Sequence, residues 1–206
     1  MDEILKYFPD LTDRQIEQFK EIGNVYPEWN SKINVISRKD IDFLYLHHIL
    51  HSLAIAKFLT PVANTSFLDF GTGGGFPGIP LAILFPNCSV HLIDRLGKKL
   101  RVAEAAATAA GLTNVTFQHG DIGECHGKYD FVVSRAVMRM EELAKLSRKN
   151  ISPKNSNLFP NGLLCLKGGD LKEEITLTGR PVIEVPLSDY FTEEYFDTKK
   201  LIYVEM

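Results

Sequence analysis

Up to residue 64 the apolar positions of the chain recur at helical spacing, and from residue 65 onward they fall into short runs separated by helical stretches. In the first part, Thr12-Asp13-Arg14-Gln15 reads as a capping box, with Leu11 and Ile16 placed for a hydrophobic staple and Phe19 and Ile22 continuing the apolar face. Pro27 and Asn30 are expected to end this helix. A second helix is expected from Asp40, carrying Phe43, Leu44, Ile49, Leu50, Leu53 and Phe58 up to a Thr60-Pro61 stop. Residues 1–64 are therefore read as a helical extension packed on the rest.

In residues 65–206 the candidate strands are Phe67 to Phe70, Val90 to Ile93, Val115 to Gln118, Phe131 to Ser134 and Leu163 to Leu166. Candidate helices fall between them, at Ile79 to Phe85, Lys98 to Ala110 and Glu141 to Lys149. Alternation of this kind is the signature of βαβ units and a parallel sheet. Two further strands, near Val182 to Val185 and Leu201 to Val204, bring the number to about seven and are free to close as an antiparallel pair. The expected class is α/β with a Rossmann-like sheet. The polar stretch from Ser152 to Asn161 reads as a loop.

Composition narrows this only a little. At 206 residues, 45% hydrophobic and 24% charged, the chain suits one ordinary globular core. No apolar run approaches the roughly 18 residues of a membrane span and the first residues lack a secretory pattern, so a cytoplasmic protein without membrane attachment is expected. Cys88, Cys125 and Cys165 offer neither a disulfide framework nor a zinc spacing, and are read as structural thiols. A net charge of −3 argues against coating nucleic acid by bulk charge. Binding of that kind would fall to local groups: Lys98, Lys99 and Arg101; Arg135 and Arg139; and Lys145, Arg148, Lys149 and Lys154, the last group read more readily as a solvated helix face.

The strongest chemical signal is Asp69-Phe70-Gly71-Thr72-Gly73-Gly74-Gly75-Phe76-Pro77-Gly78, where an apolar strand runs into glycines and then into a helix. Such a turn needs positive φ and lets a ligand approach the backbone closely. A second strand, Val90-His91-Leu92-Ile93-Asp94, follows and ends in a carboxylate, which is where folds of this kind hold a ribose diol. Two ligands fit: a dinucleotide, whose fingerprint Gly73-x-Gly75-x-x-Gly78 matches literally, and S-adenosylmethionine. Asp69, two residues before the first glycine, favours S-adenosylmethionine and would face its methionine end. No second substrate domain follows, as a dehydrogenase would normally require.

The methyl acceptor is read from the segment after the fourth strand, Ser134-Arg135-Ala136-Val137, because open α/β sheets bind at the carboxyl ends of their strands. It lacks the Asn/Asp-Pro-Pro-aromatic motif of exocyclic-amine methyltransferases, and no cysteine follows a proline to open a covalent route to a pyrimidine carbon. A nucleophile that needs no activation fits this segment. Guanine N7 is one, with an in-plane lone pair and no proton at neutral pH.

The sequence resembles the glucose-inhibited division protein B family, of the ribosomal small-subunit methyltransferase G type. The resemblance runs through Trp29-Asn30 with Ile33-Asn34, His48-Ile49-Leu50, Asp69-Phe70-Gly71-Thr72-Gly73, Gly75-Phe76-Pro77-Gly78-Ile79-Pro80-Leu81-Ala82, Leu92-Ile93-Asp94, Ser134-Arg135-Ala136-Val137 and Leu166-Lys167-Gly168. It implies methylation at N7 of one guanine in the decoding-region loop of 16S ribosomal RNA, in the small subunit or its precursor, with S-adenosylmethionine as donor. By position it implies that Gly71 and Phe76 contact the cofactor, that Ile122 and Gly123 lie beside its adenine, and that Arg135 sits between cofactor and substrate. The chain departs from the family at His51, where Asp is common, and at Asp121-Ile122-Gly123, where a triplet such as Arg-Ala-Glu is common. The second departure points to backbone groups, not a side-chain acid, at the adenine.

His47 and His51, four apart on an expected helix, lack a third ligand at zinc spacing. His48 is expected to have a structural or RNA-facing role. Lys167 ends the fifth strand and is read either as a phosphate or substrate contact or as a solvated strand end. Arg135 is the better candidate, since a charge at the end of a buried strand is costly unless a partner awaits it. A monomer is expected. Two alternatives stay open on the residues alone: a dinucleotide-dependent oxidoreductase, and a non-catalytic RNA-binding assembly factor.

Overall fold

The computed structural model describes residues 1–135 and 137–206, so Ala136 of the Ser134–Val137 motif lies outside the described residues. Seven strands form one sheet in the order β3-β2-β1-β4-β5-β7-β6. They are β1 (Ser66–Phe70), β2 (Ser89–Asp94), β3 (Val115–His119), β4 (Phe131–Arg135), β5 (Gly162–Gly168), β6 (Val182–Pro186) and β7 (Lys199–Glu205). The first five run parallel, with Phe67 of β1 opposite Val90 of β2 and Phe131 of β4. β7 is antiparallel to both neighbours, setting Leu164 opposite Tyr203 on one side and Ile183 opposite Tyr203 on the other. The seven expected strands and their antiparallel last pair are thus present.

The central strands are apolar at nearly every position because both faces are covered. Phe67, Val133, Leu164 and Leu166 point into one core with the N-terminal helices, while Leu68, Val132, Leu163 and Cys165 point into a second core on the other face. The helices are α1 (Asp2–Tyr7), α2 (Asp13–Asn30), α3 (His51–Phe58), α4 (Gly78–Leu84), α5 (Gly97–Ala109), α6 (Met140–Ser147) and α7 (Lys172–Thr178). Ile4, Phe19, Ile22 and Tyr26 are fully buried in the same cluster as Phe67 and Leu166, so the N-terminal helices and the sheet share one core.

Two expectations about local structure need correction, and two helices go beyond the expected elements. The capping box at Thr12 is formed, with Gln15 N donating to the Thr12 hydroxyl and Thr12 N to Gln15 Oε1, but Pro27 lies inside α2 and does not end it. A proline forfeits one N–H bond within a helix, and only a few residues remain before the end here. The helix expected from Asp40 is instead a composite, a 3-10 turn (Ile41–Phe43), a wide π-type turn (Leu44–Leu50) and α3. Helices α1 and α7 have no counterpart among the expected elements. Only Ile4 is buried in α1 and nothing in α7, so neither carries a repeating apolar stripe.

Candidate active site

Strand order reverses at β1, which has β2 on one side and β4 on the other, and in open α/β sheets the crevice beyond such a point is the usual ligand site. A cleft of about 550 Å³ lies there, lined by Gly71, Gly73, Phe76, Asp94, Ile122 and Arg135 among others. Its size suits a small organic ligand. The turn after β1 forms its floor. Gly71 has φ +67°, and a Cβ at that position would stand 2.7 Å from Val137 Cγ2, so only glycine meets both demands.

Two carboxylates hold this turn in shape. Asp94 at the end of β2 accepts from Gly73 N (2.8 Å) with one oxygen and from Leu96 N (2.7 Å) with the other. Asp69 lies beneath the turn, fully buried, and its Oδ2 accepts from the Thr72 hydroxyl (2.5 Å) and Gly78 N (2.7 Å). Burial lifts the Asp69 carboxyl to about 7 against the opposing pull of those two bonds and of Arg135. Tyr26 of α2 reaches across to donate to the Gly74 carbonyl at 2.8 Å, tying the N-terminal helix to the same turn.

Arg135 crosses the far wall. Its guanidinium lies 4.9 Å from the centre of the Phe76 ring, and Phe76 in turn packs against Tyr26 at 4.7 Å. Two hydrogen bonds fix it, Nη1 to the His47 carbonyl (3.3 Å) and Nη2 to His48 Nδ1 (2.9 Å). Both come from the wide turn. Burial lowers the pKa of Arg135; a guanidinium nonetheless stays protonated in proteins, and among the described residues no carboxylate stands within ion-pair distance of it. A cation held in a cleft without an acidic partner is a site for an anionic or electron-rich ligand group.

Behind Arg135, Asp40 receives His47 Nδ1 and His48 Nε2, one on each oxygen and each at 2.5 Å. Burial first and Arg135 second push His48 down to about 4, overcoming the opposite pull of Asp40. Burial alone would raise Asp40, but the two histidine hydrogen bonds outweigh it and hold the carboxyl below its ordinary value. Tyr195, between β6 and β7, stacks on His47 with ring centres 3.8 Å apart. Its hydroxyl donates to the His47 carbonyl (3.2 Å) and accepts from His51 Nδ1 (3.1 Å).

The structure thus brings Gly71, Gly73, Phe76, Asp94, Ile122 and Arg135 together on the cleft wall, with His48 directly behind Arg135. Gly123 stands next to Ile122, its amide taken by the Asp121 side chain at 2.8 Å. Asp69 is not on the wall but under it, so it shapes the turn from below. Lys167 is elsewhere. Its ammonium pairs with Glu174 and donates to the Met138 carbonyl (3.0 Å), which takes it out of the cleft. The groups that sequence reasoning missed are Asp40, Tyr26, Tyr195 and Glu174. Of these, Asp40 and Glu174 carry a local signal, Asp40 standing seven and eight residues before the two histidines it binds and Glu174 seven after Lys167.

Sheet order, glycine turn and cleft together define a class I, Rossmann-like methyltransferase fold. Solved structures agree on that architecture: fibrillarin from Aeropyrum pernix, in complex with natively bound S-adenosyl-L-methionine, superposes with a TM-score of 0.56 at 13% identity over 75% of this chain and 73% of that one. Precorrin-6y C5,15-methyltransferase from Geobacter metallireducens gives 0.55 at 14% identity over 84% and 90%. The family described as rRNA small subunit methyltransferase G (GidB) matches residues 15–195. Relatives carrying that name are 55% identical over the full length of both chains in Bacteroides thetaiotaomicron and 50% identical over 99% of each in Cytophaga hutchinsonii. The chain belongs to the rRNA small subunit methyltransferase G family.

Proposed function

We propose that the protein transfers a methyl group from S-adenosylmethionine to N7 of a guanine in 16S ribosomal RNA, within the small subunit or its precursor. The observation that carries this reading is Arg135, a cation with no acidic partner among the described residues, laid over Phe76 at the switch point of a methyltransferase sheet, in a chain of this family. The cleft fits the donor: its volume is adequate, the glycine turn leaves backbone open to contact, and the β2 acid and the apolar Ile122 suit a ribose and an adenine. In this reading Gly71, Gly73 and Phe76 cradle the donor, Asp94 meets its ribose, Ile122 and Gly123 its adenine, and Arg135 lies between donor and guanine. Asp69 supports the cradle from beneath.

Bound S-adenosylmethionine supplies an electrophilic methyl on a sulfonium. The residues' task is alignment, holding N7 in line at about 3 Å, which can contribute on the order of 7–11 kcal/mol. No general base is required. Asp94 and Asp121 on the cleft wall are engaged by backbone amides, and His48 has both ring nitrogens occupied. His48 and Arg135 therefore act by position.

We further propose that residues 1–64 act as a fixed extension of the catalytic unit 65–206, and that the protein works in the cytoplasm as a monomer. Among the described residues no helix is long and apolar enough to cross a membrane. Incubation with methyl-labelled donor and undermethylated small-subunit RNA, followed by mapping of the labelled base, tests the main reading. Label at guanine N7 is expected. Label confined to protein or small molecules, or donor binding without turnover on any ribosomal intermediate, rejects it.

A further inference from the structure

The contact between Arg135 and His48 works in only one protonation state of the imidazole. A guanidinium carries donors alone, so Arg135 Nη2 at 2.9 Å from His48 Nδ1 is an attractive contact only when Nδ1 offers a lone pair. With the proton on Nδ1, two donors would face each other. The group that selects between the tautomers is on the other side of the ring, where Asp40 Oδ2 stands 2.5 Å from Nε2. A carboxylate only accepts, so it keeps the proton on Nε2 and leaves Nδ1 free.

Asp40 also anchors the backbone that supplies the second hold on Arg135. Its other oxygen binds the His47 side chain, and the His47 carbonyl accepts from Arg135 Nη1. Both contacts of the guanidinium thus originate in the Leu44–Leu50 turn, where Asp40 binds the side chains of the two residues that supply them and Tyr195 also donates to the His47 carbonyl. Asp40 itself does not border the cleft.

We propose that Asp40 is a positioning residue for methyl transfer: by fixing His48 in the Nε2–H tautomer it aims the Arg135 guanidinium across Phe76 and into the cleft. The inference rests on the methyltransferase reading above for its kinetic consequence, but not for its structural one. A misplacement of about 1 Å near reacting groups costs on the order of 100-fold in rate, so a side chain that reaches the cleft only through His48 and Arg135 can still govern turnover.

The test uses the full-length protein labelled with nitrogen-15 in its histidines, and the variants Asp40→Ala and Asp40→Asn. At neutral pH the ring-nitrogen spectrum of the unmutated protein is expected to show His48 neutral and protonated on Nε2. In Asp40→Ala that single signature is expected to give way to a mixture, with kcat on small-subunit RNA falling on the order of 100-fold and KM little changed. Asp40→Asn retains a carbonyl oxygen that can accept from Nε2–H, and is expected to restore both the signature and most of the rate. An Nδ1 proton in the unmutated protein overturns the proposal, and so does an Asp40→Ala protein with undiminished kcat. Asp40→Asn as slow as Asp40→Ala, with a matching fall in thermal midpoint for both, assigns Asp40 to bracing the fold and also overturns it. Failure of the unmutated protein to methylate any small-subunit RNA counts against the proposed function, while the spectra still decide the tautomer.

Discussion

At the scale of single residues, the cleft is built from polar groups whose partners are mostly backbone atoms, and this makes their removal measurable. Asp94 holds the amides of Gly73 and Leu96, and Asp94→Ala leaves both without that acceptor. Loss of about 1–3 kcal/mol in donor binding is expected, read by calorimetry with S-adenosylmethionine. Unchanged affinity would mean that the carboxylate serves the turn without serving the ligand. His48 makes a prediction about acid stability. Its folded-state pKa near 4 lies below the ordinary 6.5, so on acidification the unfolded chain takes up a proton before the folded protein does. The stabilisation is complete above the unfolded value and is lost as pH falls toward the folded one, to a limit of about 3 kcal/mol. Asp69, raised to about 7, has the opposite sign and loses stability as pH rises toward that value. The difference between the unmutated protein and His48→Gln isolates the first group, whose surroundings are Asp40, His47 and Arg135. The unmutated protein is expected to show the steeper fall in thermal midpoint between neutral and mildly acid pH, and parallel profiles would refute the assignment.

At the scale of elements, legibility follows from how each element satisfies itself. Strands β1, β4 and β5 stand out in sequence because a strand covered on both faces must be apolar at consecutive positions, as Phe131, Val132 and Val133 are. The glycine turn is readable because Gly71 answers to a backbone demand that no other residue meets. The wide turn over Leu44–Leu50 is not readable as such, for its sequence satisfies an ordinary helical pattern and its distortion is fixed by Asp40, Arg135 and Tyr195. Tyr195 lies 144 residues from the His51 it binds, a distance over which one sequence carries no signal. Lys167 shows the reverse case. Its position at a strand end on the ligand edge suggested a contact with RNA, but Glu174, seven residues later, claims the ammonium. Lys167→Met is therefore expected to lower the thermal midpoint, by an amount equivalent to about 1–3 kcal/mol, and to leave RNA affinity nearly unchanged. A large loss of RNA binding with unaltered stability would reinstate Lys167 as a substrate contact.

At the scale of the whole molecule, the boundary near residue 64 marks a change in sequence pattern that the packing does not follow. Phe19, Ile22 and Tyr26 of α2 are fully buried, Gln15 of α2 donates to the Ile83 and Leu84 carbonyls of α4, and Gln18 donates to the Ala110 carbonyl after α5. A fragment comprising 65–206 alone is expected to lack cooperative thermal unfolding and dispersed amide resonances. A well-folded fragment would show that the division in sequence is also one in stability. The same packing decides how molecules come and go. Swinging α2 outward would expose three large side chains at roughly 1.5–3 kcal/mol each, and would break the Tyr26 bond to the glycine turn as well. Exchange of donor for spent product is then expected on the side of the cleft where Leu96, Val137 and Leu146 are exposed.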